Sequence, residues 1–115
     1  LDGALISRKH VVADRVKGNA SNTDGASTEV IAAQASGVRI NVTDVTLTNM
    51  SATNIYVELK DGTTVIWRFP VPATGGVTHS FQTPLTGTAA TALNFDPSAA
   101  ATTVYCSVSG YISKV

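Results

Sequence analysis

The sequence predicts an all-β domain: an antiparallel β-sandwich of jelly-roll or Greek-key type with an extended N-terminal arm. Three observations carry that prediction. Apolar and polar residues alternate with a period of two through most of the chain, turn residues recur about every 8 to 12 positions, and no stretch shows the period of an amphipathic helix. A chain of 115 residues can fill one two-layer core and is too short for two. The expected division is an arm and linker over residues 1–28 and a sandwich over residues 29–115.

The arm, LDGALISRKHVVADRVK, holds four of the eight basic residues, Arg8, Lys9, Arg15 and Lys17. Leu5, Ile6, Val11, Val12 and Val16 give it apolar content without a helical or alternating spacing, and a short strand is expected around Val11. Residues 17–28, KGNASNTDGAST, read as a loop because Gly, Asn, Ser and Asp favour turns. Fully extended, that loop would span about 40 Å, enough to carry the arm to a neighbouring subunit. Burying the arm's few large apolar side chains returns less free energy than ordering its backbone costs. The arm is therefore expected to need hydrogen bonds from another surface, with Leu5, Ile6, Arg8, Lys9, His10, Val11, Val12 and Arg15 as its contact residues.

The strands follow. Residues 28–33 (TEVIAA) form a short one. In residues 38–50, Val38, Ile40 and Val42 share one parity while Val45 and Leu47 share the other. That switch requires a bulge or bend near Thr43-Asp44, of the kind that lets a strand pass from one sheet to its partner. Residues 54–70 (NIYVELKDGTTVIWRFP) are a β-hairpin, with Ile55, Val57 and Leu59 on one face. Asp61-Gly62 is its expected turn, since both residues tolerate positive φ. On the return strand Val65, Trp67 and Phe69 share parity, which places Trp67 in the core as an aromatic anchor. Pro70, Pro72 and Gly75-Gly76 interrupt pairing, and Val77, His79 and Phe81 then alternate. Ala89, Thr91, Leu93 and Phe95 share a face as far as a turn at Asp96-Pro97-Ser98. In the last strand Val104, Cys106, Val108 and Ile112 face inwards, and Tyr105, Ser107, Ser109 and Tyr111 outwards.

Composition narrows the function classes. Eight basic and eight acidic residues cancel, so no overall field draws nucleic acid or an anionic membrane. Charged residues make up 14% of the chain against roughly 25% in an average soluble domain. Ser, Thr and Asn fill the polar share, which suits wet protein interfaces and points to an assembled protein; a Thr/Ser-rich extracellular monomer is the competing explanation. One cysteine, Cys106, permits neither an intrachain disulfide nor a cysteine-based zinc site. No run approaches the roughly 18 apolar residues of a membrane span.

Enzyme chemistry finds no motif. His10 and His79 stand alone, with no second histidine at metal-ligand spacing, and His79 reads as a hydrogen-bonded structural residue. Asp44, Glu58, Asp61 and Asp96 read as turn residues and solvated charge, and Gly75-Gly76 lacks the residues of a phosphate-binding loop. Cys106 sits at core parity and reads as a small buried hydrophobe. No catalytic residue, cofactor or metal site is expected. Tyr56, Tyr105 and Tyr111 lie on the outward parity of their strands and are the expected interface residues on the body. Trp67 as a sugar-stacking platform is the alternative to Trp67 as core.

The segments IYVELKDGTTVIWRFPVPATGG, FQTPLTGTAATALNF and TTVYCSVSGYIS, with their Gly, Pro and Thr punctuation and the closing Gly110-Tyr111 pair, carry a family resemblance. From Val38 onwards, about two-thirds of the chain resembles the small single-domain β-sandwich proteins encoded among phage structural genes, capsid decoration or cement proteins among them. The resemblance implies a virion structural protein on the capsid exterior that bridges major capsid subunits. Its implied partners are the major capsid protein and further copies of itself, as a dimer or trimer, with no nucleic acid and no membrane. Similar sandwiches occur in tail and receptor-binding components, which makes an adhesin or carbohydrate-binding module the alternative. The arm lies outside the resemblance.

Overall fold

The computed structural model describes residues 14–100 and 103–114. Its eight strands are β1 (Arg15–Asn22), β2 (Thr28–Ile31), β3 (Val38–Asn49), β4 (Ile55–Asp61), β5 (Thr64–Val71), β6 (Gly75–Thr86), β7 (Leu93–Pro97) and β8 (Val104–Lys114). The pairings are nested. The hairpin β4–β5 is innermost, and β3 with β6, β2 with β7 and β1 with β8 follow outwards, all antiparallel. Rolling this long double ribbon brings β8 against β3 and β7 against β4, which yields sheets of order β1-β8-β3-β6 and β2-β7-β4-β5. That order is the jelly roll, the more specific of the two expected topologies.

Alternation builds the core between the sheets. Val57, Leu59, Phe69 and Val71 from the hairpin meet Val45, Leu47, Val104, Cys106 and Val108 of the opposite sheet, around a fully buried Phe95. The bulge expected near Thr43-Asp44 is present as a register shift between Val42 and Asp44 on both sides of β3. It turns the strand by one residue, so that Val42 and Val45, both 1% exposed, point into the same core. The strand stays in its sheet throughout and does not cross to the other.

Two further differences follow from local geometry. Asp61 pairs with Thr64, so the hairpin loop is Gly62-Thr63, with Gly62 at φ 63°. A glycine at the first central position is what a type II′ turn requires, one residue later than expected. Within the segment 17–28 expected to be loop, residues 17–22 belong to β1, which pairs with β8 from Arg15↔Tyr111 to Asn22↔Val104. Gly and Asn lower its intrinsic strand preference, but Gly18 allows β1 to approach β2: a Cβ there would lie 2.1 Å from the Val30 carbonyl oxygen.

Buried asparagines hold the loops. Asn49 donates to the carbonyls of Thr53 (2.8 Å) and Pro72 (3.2 Å) and accepts from the Ser51 amide (2.9 Å) and hydroxyl (2.7 Å). It therefore ties the β3–β4 loop to the β5–β6 loop. Asn22 similarly clasps the β1–β2 turn, accepting from the Gly25 amide and donating to the Ala26 carbonyl and the Thr28 hydroxyl.

Candidate interaction surface

A jelly roll has two rims where the sheet edges meet, here β1 beside β2 and β5 beside β6. The first is closed by the approach at Gly18. Among the described residues the second is open, and its inward-pointing side chains form an aromatic cluster. Trp67 meets Phe81 edge-on at 5.0 Å between ring centroids and lies 6.5 Å from Phe69, while His79 lies 4.5 Å from Phe81 and 5.7 Å from Trp67. Phe69 and Phe81 are buried and His79 is half-buried. Trp67 is 40% exposed.

Expected as a core anchor, Trp67 instead stands at the rim. Its register partner Leu59 is 1% exposed, so the inward parity was read correctly. Inward parity secures burial only where another strand lies outside, and β5 and β6 are both edges. Val65 differs for another reason. A register shift between Leu59 and Lys60 leaves Ile66 unpaired and sets Val65 opposite Lys60, which turns it to the outer face at 42% exposure. His79, expected to be hydrogen-bonded, is held by the three rings around it.

The outer faces of the two sheets differ in chemistry. On the β2-β7-β4-β5 sheet, charges pair across strands. Arg68 bonds Glu58 and lies 4.9 Å over the Tyr56 ring, and Lys60 bonds Asp96 at 2.8 Å. These hydrogen bonds hold the Arg68 guanidinium and the Lys60 ammonium above their usual values. On the β1-β8-β3-β6 sheet, hydroxyls dominate. Asp44 accepts from Ser80 (2.6 Å) and Thr43 (2.9 Å), and these bonds, Ser80's foremost, keep its carboxyl below the usual carboxylate range. Beside it, Lys17, Asn19, Thr46, Ser107 and Ser109 line an open depression of about 190 Å³.

The arm residues Leu5, Ile6, Arg8, Lys9, His10, Val11 and Val12, and the strand expected around Val11, lie outside the described residues. Arg15 is the first residue of β1, exposed and opposite Tyr111. The three tyrosines do not converge. Tyr56 is exposed on one outer face, while exposed Tyr105 and half-buried Tyr111 lie on the other, six residues and about 20 Å apart along β8.

The remaining polar groups are structural ties. Asp61 accepts from the Thr88 amide (3.0 Å) and hydroxyl (2.6 Å), fastening the β6–β7 connection to the hairpin. With Asp44, Glu58 and Asp96 engaged as above, these carboxylates do more than the turn-residue and solvated-charge expectation assigned them. Among the described residues, no group of three or more His, Cys, Asp or Glu side chains could hold a metal ion. Cys106 is fully buried, and that burial pushes its thiol up to about 12. A thiol so far above neutrality is protonated and inert, as expected for a small hydrophobe.

No protein-family model and no curated protein sequence matches the chain. Solved structures do match in fold. A chain of the acid-stable capsid of the Helicobacter pylori bacteriophage KHP30 aligns at TM-score 0.57 and 15% identity, covering 89% of this chain and 93% of that one. The PRD1 vertex protein P5 aligns at TM-score 0.51 and 16% identity, covering 89% and 99%. A chain of the disulfide-linked pili of Bacillus endospore appendages aligns at 0.49 and 13% identity, covering 85% and 84%. The first two share the sandwich over nearly its whole length, so the resemblance to small phage virion β-sandwich proteins is met at the level of fold.

Proposed function

We propose that the protein is a virion structural protein that decorates the outside of a phage capsid, adhering to the major capsid protein and bridging neighbouring shell subunits. The observation that supports this best is the complete jelly roll, shared across almost the full chain with a capsid chain and a vertex protein. Its polar groups agree with that reading, since the carboxylates fasten strands and connections together instead of converging on a substrate. The arm residues Leu5, Ile6, Arg8, Lys9, His10, Val11 and Val12 would meet the shell, with Arg15 at the point where the arm joins β1. Contacts confined to the assembled state would add buried area across capsid joints and stabilise the particle by mass action. Neither nucleic acid nor membrane belongs to this reading.

The test is a chain beginning at residue 14, which keeps all of β1. It should retain the near-ultraviolet circular dichroism of the full chain and bind purified capsids at least tenfold more weakly. Full occupancy by the shortened chain would reject the proposal.

Half-exposed Trp67 favours a second reading, a tail or receptor-binding module in which a sugar ring stacks on the indole. Trp67 is the single tryptophan, so its emission reports directly on that event. A saturable change on titration with host-surface polysaccharide would favour this reading over decoration.

A further inference from the structure

Edge strands are normally defended by charge, shortness, proline or bulges against pairing with other chains. The rim of β1 and β2 carries such defences: β1 has Arg15 and Lys17, and β2 is only four residues long and bears Glu29. β6 is defended at one end only. Between Ser80↔Asp44 and Leu85↔Val42, four residues including Pro84 stand against the single Thr43, and this irregularity breaks the edge. From Gly75 to Ser80 the strand pairs regularly with β3, and these six residues contain no Asp, Glu, Lys or Arg. Their inward side chains run into the aromatic cluster that leaves Trp67 half-exposed. Among the described residues this is a regular, neutral strand edge beside an aromatic cluster that no further strand covers, and such an edge is a docking edge for another strand.

We infer that this edge pairs with the same edge of a second copy, forming a twofold dimer in which the β1-β8-β3-β6 sheet continues into its partner. Charge permits this occupant, and the edge can pair with its own copy in register. The edge offers no charge for a partner of opposite sign, and the chain as a whole is neutral, with eight basic and eight acidic residues, so two copies approach without repulsion. Symmetry restricts the register. An antiparallel twofold pairing must set inward residues opposite inward residues, which leaves centres on Val77 or Thr78. A centre on Val77 brings Gly75 into the paired region, although Gly75 closes the turn that precedes the strand, its amide donating to the Pro72 carbonyl at 3.2 Å. The centre on Thr78 avoids this. It sets Val77 opposite His79 of the second copy and Thr78 opposite its own counterpart, extending the Thr46–Thr78 hydroxyl pair (3.4 Å) into a threonine row across the dimer. The inference stands on the edge itself and is independent of the virion reading.

Sedimentation velocity of the full chain over a concentration series tests it, with Trp67 emission followed in parallel. The expected result is a monomer–dimer equilibrium with a blue shift as dimer forms. Thr78→Lys, at an exposed position, sets like charges face to face and should weaken dimerisation at least tenfold with unchanged near-ultraviolet circular dichroism. Under a mild thiol oxidant, Thr78→Cys should give a covalent dimer, because directly opposed residues in a sheet lie within disulfide reach. Ser107→Cys, exposed on the interior strand β8, should not. A monomer at every concentration overturns the inference, as does a trimer, a dimer indifferent to Thr78→Lys, or equal cross-linking from Ser107→Cys. A monomer whose Trp67 emission reddens when residues 1–13 are removed would show the arm covering the edge, which also overturns it.

Discussion

The two rims of this jelly roll solve the same problem in opposite ways. At β1 and β2 the chain closes itself: Gly18 lets the backbones approach so closely that a Cβ would collide with the Val30 carbonyl oxygen at 2.1 Å. At β5 and β6 the chain supplies aromatic rings and leaves Trp67 40% exposed. A rim closed within the chain contributes to stability, whereas a rim left open is suited to contact with another molecule. Substitutions on the two rims should therefore separate folding from assembly.

The largest expected effect is at the closed rim. Gly18→Val forces the β1 and β2 backbones apart and should lower unfolding free energy by about 3 kcal/mol in denaturant titration. Assembly should weaken only as far as folding does. The asparagine clasps come next, one at each rim. Asn49→Ala leaves the amide and hydroxyl of Ser51 and two loop carbonyls without their partner and should cost about 2 kcal/mol; Asn22→Ala should cost a similar amount. Equal losses would show that both rims are anchored alike and differ only in their cover.

Trp67→Ala comes third. Because the indole is half-exposed already, its removal should cost about 1.5 kcal/mol, well below the range for a fully buried tryptophan, while dimerisation falls at least tenfold. A loss as large as that of Gly18→Val with assembly intact would reverse the comparison. The smallest effect is electrostatic. Hydrogen bonds from Ser80, Thr43 and Ser109 lower the Asp44 pKa from its ordinary value of 3.8. A carboxyl depressed on folding contributes stability that is fully present above its unfolded pKa and is lost as pH falls through the folded one. Thermal melts should thus show Asp44→Asn with less acid dependence than wild type below about pH 4, and no added pH dependence near neutrality.

How far the sequence reveals these rims depends on whether a strand's fate is local. The hairpin of β4 and β5, the bulge after Val42 and the inward set Val104, Cys106 and Val108 were legible because two-residue alternation and turn chemistry encode them directly. β1 was not. Its RVKGNASN composition resembles a loop, and only pairing with β8 and the close pass over β2 make it a strand. Trp67 was legible in parity and illegible in burial, since no local pattern says whether a strand ends up at the edge of its sheet. The buried asparagines were hidden for a similar reason: Asn49 and Asn22 sit in strands whose ends must be clasped, and their partners are loop carbonyls that become neighbours only in the folded chain. Of the expected interface residues on the body, Tyr56 and Tyr105 are exposed on opposite sheets, which the strand parities could not reveal without the topology.

Hydrogen exchange of the full chain, followed amide by amide over a concentration series, tests most directly whether the open rim is completed by another molecule. The account predicts that protection of the free edge between Gly75 and Ser80 rises with concentration, while protection across β1 stays constant. Constant protection at both rims, or an equal rise at both, would contradict it.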